Sequence, residues 1–420
     1  MKAKFRQTED ARNRRLMTMI LSLAMAVSLA LFIGFTVHDH LVEPKQDGEI
    51  AASSELAQME SGAAPDLPSL SRLYRNVQVR RKLQSMTLRD KILQMIIVCP
   101  EVLSGSSSPV TKASGVGAAL QKYPVGGIIL FADNLQSRDQ TRALISGMQE
   151  TAKASGIGLF LSVDEEGGTV SRCAQKLGTT KFKNMQNYQS LGAGTARSNA
   201  KTIAADIASF GFNLDFAPVA DVNTAGNSVI GSRAYSNNYE TAATLVAAAV
   251  QGFHDGGVRC TLKHFPGHGA TKEDSHKRIA YLNKSLDQLR KEEFVPFERG
   301  INAGADFVMV GHIVVPSVDE QPAALSKALV TDLLRKELKF GGLVVTDSMR
   351  MGAIANNYSV EKAAVLAIAA GDDVLLDVVS VPRVLKAVKD AVKNGTLTEE
   401  QINASVRRIL REKAEMGLLY

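Results

Sequence analysis

The feature that most constrains the fold is a regular alternation of short apolar runs with amphipathic stretches of helical period, which begins near residue 69. Strands that alternate with helices in this way form βα units and a mainly parallel sheet, so the pattern predicts an α/β fold. Eight runs are predicted as strands: Leu93–Val98, Gly126–Phe131, Leu159–Val163, Phe212–Asp215, Val258–Leu262, Phe307–Val310, Gly342–Thr346 and Asp373–Leu376. Helices are predicted between them, over Arg138–Ala154, Thr195–Ser209, Thr241–Asp255, Leu286–Ala303, Leu325–Glu337 and Val360–Ala370.

Eight βα units over about 350 residues fit a (β/α)8 barrel of the TIM type, with one domain over residues 69–420. An open, doubly wound sheet is the alternative, because alternation alone does not close a barrel. Two more predicted helices, Ser380–Asn394 and Glu399–Glu415, would pack on the outside of either sheet.

The N-terminal region differs in composition from the rest of the chain. Residues 1–15 hold six basic and two acidic side chains, and Leu16–Val37 is an uncharged apolar run. A helix of that length can cross a ~30 Å hydrocarbon core, and the basic flank predicts a cytoplasmic tail with the domain outside the membrane. A cleaved signal peptide is the alternative, which would leave the domain secreted. Residues 38–68, rich in Glu, Ser, Ala, Gly and Pro, are predicted to be a flexible linker.

Charge and cysteine content exclude several classes of function. The net charge of +6 comes mostly from the first fifteen residues, and the remainder carries 43 basic and 41 acidic side chains. A nucleic-acid-binding domain needs a concentrated basic face, so we expect no nucleic-acid partner. The three cysteines, Cys99, Cys173 and Cys260, form no C-x-x-C motif and are predicted to be buried small side chains with at most one disulfide.

The segment from Lys263 to His276 is the richest in chemistry. It reads Lys-His-Phe-Pro-Gly-His-Gly-Ala-Thr-Lys-Glu-Asp-Ser-His and follows a β-like run. Pro266, Gly267 and Gly269 exclude a packed helix, so we interpret the segment as a loop that leaves a strand with titratable side chains. The break also argues against a zinc helix formed by His264 and His268, and no metal site is expected.

Other polar residues also follow predicted strands. Asp164 follows the third strand, Lys263 and His264 the fifth, His312 the sixth and Asp347 the seventh. Active sites of barrels lie at the face formed by the carboxyl ends of the strands, so these positions predict one shared site.

The segment at Lys263 resembles family 3 glycoside hydrolases, and in particular their β-N-acetylglucosaminidase branch. Three further segments resemble elements of the same family: Asp164–Gly168 with Val170 and Arg172, then Ile230–Arg233, and finally Val345–Met349. The resemblance extends from about Thr87 to the C-terminus. It implies a barrel fold, a retaining glycosidase activity and no cofactor.

The resemblance also implies a set of site residues. Asp347 would be the nucleophile, and His276, oriented by Asp274, would be the acid/base; an imidazole, with an ordinary pKa of about 6.5, suits both halves of such a reaction. The implied sugar-binding residues are Asp164, Arg172, Arg233, Lys263 and His264, whose carboxylate, cationic and imidazole groups can hydrogen-bond sugar hydroxyls. For Arg172 and Arg233, a structural salt bridge is the alternative.

Together these observations predict an exo-acting, monomeric β-N-acetylglucosaminidase tethered outside the cell membrane. Its expected substrate is the terminal, non-reducing GlcNAc of a saccharide or muropeptide from the cell wall. A phosphorylase or β-glucosidase of the same family is one alternative. A non-catalytic wall-binding protein is another, although the presence of Asp274, His276 and Asp347 argues against it.

Overall fold

The computed structural model describes residues 67–420. All features described below lie in the compact unit Tyr74–Tyr420, except for the first seven residues of the helix that begins at Leu67. The predicted basic tail, membrane span and almost all of the predicted linker lie outside the described residues. Within residues 67–420, none of the helices is long and apolar enough to cross a bilayer.

Eight parallel strands form the centre of the fold. We number them β1 to β8 in chain order: Ile96–Val98, Gly127–Ile129, Phe160–Val163, Leu214–Asp215, Thr261–Phe265, Phe307–Val310, Leu343–Thr346 and Leu375–Leu376. Every residue in them is buried, as expected for strands covered on both faces. All eight predicted strands are therefore confirmed in position, with shifts at their ends.

The strands pair in two parallel sheets. The first has the order β8-β1-β2-β3-β4, and the second has the order β7-β6-β5. Isolated parallel bridges join their edges, at Leu214 and Arg259 on one side and at Val345 and Val374 on the other. Chain neighbours are thus spatial neighbours, and the last strand lies beside the first. A doubly wound sheet reverses its strand order at a switch point, and the order observed here contains no such reversal.

Helices surround the strands. The α-helices of five or more residues are Leu67–Ser85, Leu88–Gln94, Pro100–Ser104, Gly117–Lys122, Arg138–Lys153, Arg172–Leu177, Gly192–Ala208, Tyr239–Asp255, Leu286–Lys291, Phe294–Asn302, Val360–Ala370, Val381–Lys393 and Glu399–Glu415. Shorter strands lie between them at Glu165–Gly167, Val170–Ser171, Ala280–Tyr281, Ile313–Val315 and Asp319–Pro322.

Three predicted elements differ from the structure for local reasons. The first strand starts at Ile96 because Thr87 caps a helix that continues to Gln94. The predicted helix over Leu286–Ala303 is two helices, since the backbone leaves helical geometry at Glu292. The helix predicted over Leu325–Glu337 has π geometry over Ala328–Glu337. Apolar periodicity does not distinguish π from α geometry.

Two neighbouring helices, Gly192–Ala208 and Tyr239–Asp255, pack closely through a glycine. A Cβ on Gly252 would lie 2.2 Å from the Arg197 carbonyl oxygen, so only glycine permits this approach. The core around them is apolar and includes the three cysteines, which are free and buried, as the sequence predicted.

A buried lysine lies at the amino ends of the first strands. Lys413 of the last helix is fully buried, and its Nζ donates hydrogen bonds to the Gln94 Oε1 and to the carbonyls of Gly126 and Gly158, at 2.7–2.8 Å. Nζ also lies 4.8 Å from the centre of the Phe160 ring. None of these hydrogen-bond partners is a carboxylate, and burial lowers the pKa of Lys413 well below its ordinary value.

Asp372 provides a test of this core. Its side chain is 0% exposed, and neither carboxyl oxygen has a hydrogen-bond partner among the described residues. Burial, followed by the neighbouring charge of Asp373, raises the pKa of Asp372 well above its ordinary value. The folded state therefore holds this proton more tightly than the unfolded state. Stability is greatest below the unfolded pKa and falls as pH rises towards the folded pKa.

We expect Asp372→Asn to remove this loss and to stabilise the protein at pH 7 by about 1 kcal/mol or more. Urea unfolding from pH 4 to 8 measures the difference. Asp139→Asn is the matched control, because the Asp139 side chain is 98% exposed and its removal should change stability little. Parallel pH profiles for wild type and Asp372→Asn would contradict a protonated Asp372.

Candidate active site

Polar side chains gather where the strands end. Asp164 follows β3, His312 follows β6 and Asp347 follows β7, as predicted. Lys263 and His264 were predicted to follow the fifth strand, and that was wrong: they lie within β5, which continues to Phe265. Neighbouring backbone extends the pairing, because the Ala220 N–H donates to the Lys263 carbonyl and the Gly311 N–H to the Phe265 carbonyl.

An ion cluster links the end of β3 to β5. The buried Nζ of Lys263 lies 2.9 Å from an Asp164 oxygen and 2.7 Å from a Glu166 oxygen. Arg233 makes a bidentate pair with Glu166, with both nitrogen–oxygen distances at 2.8 Å. Two carboxylates and two cations thus balance one another in a nearly dry environment.

The two carboxylates of this cluster, Glu166 and Asp164, differ in their electrostatic surroundings. Burial alone would raise the pKa of Glu166, but Lys263 and Arg233 lower it to about 2. Glu166 and Arg233 are therefore a permanent ion pair, as the structural alternative for Arg233 anticipated. The Asp164 side chain is 19% exposed, so it combines a fixed cationic partner with access to solvent.

Arg172 is placed differently from Arg233. It begins a short helix, Arg172–Leu177, and its buried Nε has no hydrogen-bond partner among the described residues. The preceding residues fix that helix, because Glu165 accepts hydrogen bonds from the N–H groups of Cys173 and Ala174 at 2.7 and 2.9 Å. Glu165 is thus a structural cap, and burial raises its pKa to about 7.

Asp221 orients His264. One Asp221 oxygen lies 2.6 Å from His264 Nδ1, and the other accepts the His268 N–H at 2.6 Å. Burial raises the pKa of Asp221, but the His264 imidazole outweighs it and holds the pKa below its ordinary value. Because Nδ1 points at a carboxylate, the proton on that nitrogen is fixed and Nε2 remains for other contacts. Asp221 was not among the site residues predicted from the sequence.

Asp347 is half-buried between imidazoles. Its N–H donates to the Val310 carbonyl, which ties it to the end of β6, and one of its carboxylate oxygens accepts the Ser348 N–H at 2.8 Å. Burial raises the pKa of Asp347, but the opposing effect of His264 and His312 is larger. The pKa of Asp347 therefore lies below its ordinary value. Asp347 is therefore ionised at neutral pH, as a nucleophile requires.

His312 contacts the backbone of Ser348, the residue that follows Asp347. It is fully buried, and its Nε2 lies 2.9 Å from the Ser348 carbonyl oxygen, so Nε2 carries the proton. Burial lowers the pKa of His312. The sequence placed His312 at a strand end but gave it no role.

The predicted dyad is present. His276 Nδ1 lies 2.9 Å from an Asp274 oxygen, which also accepts the His276 N–H at 2.9 Å. Burial raises the pKa of Asp274, but the hydrogen bonds from His276 lower it overall. The carboxylate therefore stays ionised and fixes the imidazole tautomer, with Nε2 free to exchange a proton with a substrate.

One group of metal-ligating side chains occurs among the described residues, formed by His254, Cys260 and Asp306 with ligand atoms within 4.8 Å of one another. Asp306 already binds His254 Nε2, the Cys260 N–H and the Arg259 guanidinium. Burial raises the pKa of the Cys260 thiol well above its ordinary value, and a thiol is a poor metal ligand until it ionises. Cys260 directly precedes β5, three residues before Lys263.

The profile described as "Glycosyl hydrolase family 3 N terminal domain" matches residues 87–412. The chain belongs to glycosyl hydrolase family 3. It is therefore a glycoside hydrolase, and the resemblance found in the sequence is confirmed. The carboxylates and imidazoles above lie within the matched residues.

Proteins similar to this chain are named as β-hexosaminidases or β-N-acetylglucosaminidases. The chain is 36% identical over 307 residues to a β-hexosaminidase of Stenotrophomonas maltophilia (strain R551-3), covering 71% of this chain and 85% of that protein. A solved family 3 β-N-acetylglucosaminidase from Paenibacillus sp. str. FPU-7 is 36% identical, with a TM-score of 0.74. That match covers 79% of this chain and 64% of the Paenibacillus protein. A solved β-N-acetylhexosaminidase from Beutenbergia cavernae is 28% identical, with a TM-score of 0.66 and coverage of 78% and 99%.

The buried pair Glu166–Arg233 can be compared with a surface pair of the same geometry, Glu361–Arg383, which is also bidentate at 2.6 and 2.9 Å. Glu166→Gln leaves Lys263 and Arg233 with one carboxylate fewer in a buried site. We expect it to destabilise the domain by about 3 kcal/mol at pH 7. Chemical denaturation measures this value.

The stabilisation from Glu166 is present above its unfolded pKa of about 4.3 and is lost as pH falls towards 2, so the variant and wild type should converge in acid. Glu361→Gln is the matched control and should change stability little, since water solvates that pair. An equal effect of the two substitutions would mean that burial adds nothing to the Glu166 pair.

Proposed function

We propose that this family 3 protein is an exo-acting, retaining β-N-acetylglucosaminidase. The observation that carries the proposal is an ionised, half-buried Asp347 combined with a solvent-accessible carboxylate–imidazole dyad, Asp274–His276. Retaining hydrolysis needs one carboxylate nucleophile and one group that first donates and then accepts a proton. The names of the relatives as β-hexosaminidases support the choice of sugar.

In the first half of the proposed reaction, an Asp347 oxygen attacks the anomeric carbon and the bond to the leaving oxygen breaks. His276 Nε2 gives its proton to that oxygen, and Asp274 stabilises the imidazolium before transfer. In the second half, the neutral imidazole takes a proton from water, the hydroxide oxygen bonds to the anomeric carbon, and Asp347 leaves as a carboxylate. The anomeric configuration is therefore retained.

The sugar-binding part of the proposal rests on groups with unused hydrogen-bonding capacity. Asp164 accepts from Lys263 through one oxygen and is partly open to solvent. His264 has Nε2 available because Asp221 occupies Nδ1. Arg172 would supply guanidinium donors, since its Nε has no hydrogen-bond partner among the described residues. Arg233 and Lys263 act by holding Glu166 and Asp164 in place.

A closed (β/α)8 barrel is part of the same proposal. The two sheets contain eight strands in consecutive order, and isolated bridges link the edge strands on both sides. In a closed barrel, the carboxyl ends of β3, β5, β6 and β7 face one common mouth, which would bring Asp164, Lys263, His312 and Asp347 around one sugar.

The natural substrate and location are proposed from the sequence. An uncharged run at Leu16–Val37 with a basic flank would place the domain outside the membrane, beside the cell wall. A terminal GlcNAc on a wall-derived saccharide or muropeptide is the substrate consistent with that location. Protease treatment of intact cells, followed by detection of the domain, tests the location.

The proposed activity is tested with nitrophenyl β-GlcNAc and β-glucoside, using the purified chain with and without phosphate. We expect GlcNAc-selective release that is indifferent to phosphate and that Asp347→Asn abolishes, because an amide cannot form the glycosyl ester. His276→Ala should lower turnover by about 10²–10⁴-fold on a substrate with a poor leaving group, and added azide should restore the second half-reaction.

Three results would contradict the proposal. Formation of a sugar phosphate would identify a phosphorylase, and preference for the glucoside would identify a β-glucosidase. A folded protein that releases neither sugar would favour the binding-protein alternative.

Arg172→Met tests sugar binding separately from stability. Because the Arg172 Nε lacks a hydrogen-bond partner among the described residues, we expect a change in stability within about 1 kcal/mol. We expect KM for the β-GlcNAc substrate to rise by about tenfold or more, since a charged hydrogen bond to the sugar is lost. Steady-state kinetics and thermal unfolding measure the two effects. A large loss of stability with unchanged KM would assign Arg172 a structural role.

A further inference from the structure

The loop that carries the dyad is anchored at its middle residue. We call residues 271–277 the dyad loop. The His276 side chain is 61% exposed, whereas Ser275, between Asp274 and His276, is 0% exposed. The Ser275 hydroxyl lies 2.7 Å from His268 Nε2. The position of the exposed dyad therefore depends on contacts made by a residue that carries none of its chemistry.

His268 is held by Asn227 and by a threonine of its own turn. Asn227 Oδ1 accepts the N–H groups of Val229 and Ile230 at 2.8 and 3.0 Å, which fixes the orientation of its amide. The Asn227 NH2 lies 3.3 Å from His268 Nδ1 and 3.0 Å from the Thr271 hydroxyl, and that hydroxyl lies 3.0 Å from Nδ1. His268 thus has polar partners at Nδ1, while its Nε2 contacts the Ser275 hydroxyl. Burial lowers the pKa of His268.

A second set of contacts joins the dyad loop to the segment that follows Asp347. The Gly352 N–H donates to the His276 carbonyl at 3.0 Å, and the Ala353 N–H donates to the Ser275 carbonyl at 3.3 Å. A Cβ on Gly352 would lie 2.7 Å from the Lys277 carbonyl oxygen and 2.9 Å from that of His276. Any side chain at position 352 would therefore push the dyad loop away.

We propose that Ser275, held by His268, and Gly352 are positioning residues that set the distance between the His276 imidazole and Asp347. The inference rests on the proposed function. Ser275 fixes the loop against His268, three residues beyond the end of β5, and Gly352 fixes it against the chain five residues beyond Asp347. Both contacts act on the backbone of the dyad loop, so Asp274 and His276 remain exposed to substrate while their backbone is held.

The proposal predicts a particular kinetic defect. If the imidazole is displaced, proton transfer to the leaving oxygen weakens, while attack by Asp347 is unaffected. Formation of the glycosyl-enzyme from a substrate whose leaving group needs no proton, such as dinitrophenyl β-GlcNAc, should proceed at a nearly unchanged rate. Substrates with a poor leaving group, such as methyl β-GlcNAc, should lose turnover, because a displacement of about 1 Å costs on the order of 10²-fold.

The test compares Ser275→Ala and Gly352→Ala with wild type on both substrates. We expect kcat on methyl β-GlcNAc to fall by about 10- to 100-fold. The burst-phase rate constant for formation of the glycosyl-enzyme from the dinitrophenyl substrate should change less than about threefold. Ser405→Ala is the matched control, since Ser405 is also a buried serine but lies on the last helix. It should leave the ratio of the two rates unchanged.

Hydrogen exchange supplies a readout that does not depend on turnover. Because Gly352 and Ser275 hold the loop backbone, amide exchange of a peptide covering residues 271–277 should be faster in both variants than in wild type and in Ser405→Ala. Equal losses on the two substrates, or unchanged exchange in both variants, would overturn the positioning role.

If the proposed function is wrong, the experiments would give a different pattern from the one that overturns the positioning role. In that case wild type and His276→Ala would show no difference in leaving-group dependence, whereas exchange in the dyad loop would still respond to Ser275→Ala and Gly352→Ala. If Ser275→Ala does not fold, Gly352→Ala tests the same position of the loop through the other contact.

Discussion

The buried ammonium of Lys263 is the interaction on which the site depends. A single charged nitrogen, surrounded by Asp164 and Glu166, joins the end of β3 to β5 across 99 residues of sequence. Its removal would leave two carboxylates facing each other in a site that water barely enters, which is costly. Arg233 completes the charge balance and thereby fixes the segment after β4. The open side of Asp164 is accessible only because this cluster satisfies its other side.

The site contains two imidazole–carboxylate pairs that differ in their exposure to solvent. Asp221 and His264 are both buried, and their bond at 2.6 Å gives a fixed tautomer within the protein. Asp274 and His276 have the same geometry at 2.9 Å but face solvent. The first pair is suited to binding and to shaping the field around Asp347. The second is open to solvent, which the proposed acid and base steps require.

The sequence predicted the strands well because burial on both faces makes each of them a short, uniform apolar run. Asp164 and Asp347 were placed correctly for the same reason, since each directly follows such a run. Lys263 and His264 were misplaced because polar residues appeared to end the strand, whereas carboxylates distant in sequence neutralise them inside it. Asp221, His268 and Ser275 gave no periodic signal. Their importance arises from hydrogen bonds whose partners are known only once the chain is folded.

The amino ends of β1, β2 and β3 depend on a residue that comes much later in the chain. Lys413 binds Gln94, 319 positions earlier, together with the carbonyls before β2 and β3. Contacts of such sequence separation form late, because loop-closure entropy must be lost before they contribute. During synthesis, the groups at the amino ends of the first three strands can bind Lys413 only after the final helix has been made. In a nascent chain that lacks this helix, Gln94 and the carbonyls of Gly126 and Gly158 have no ammonium group to bind.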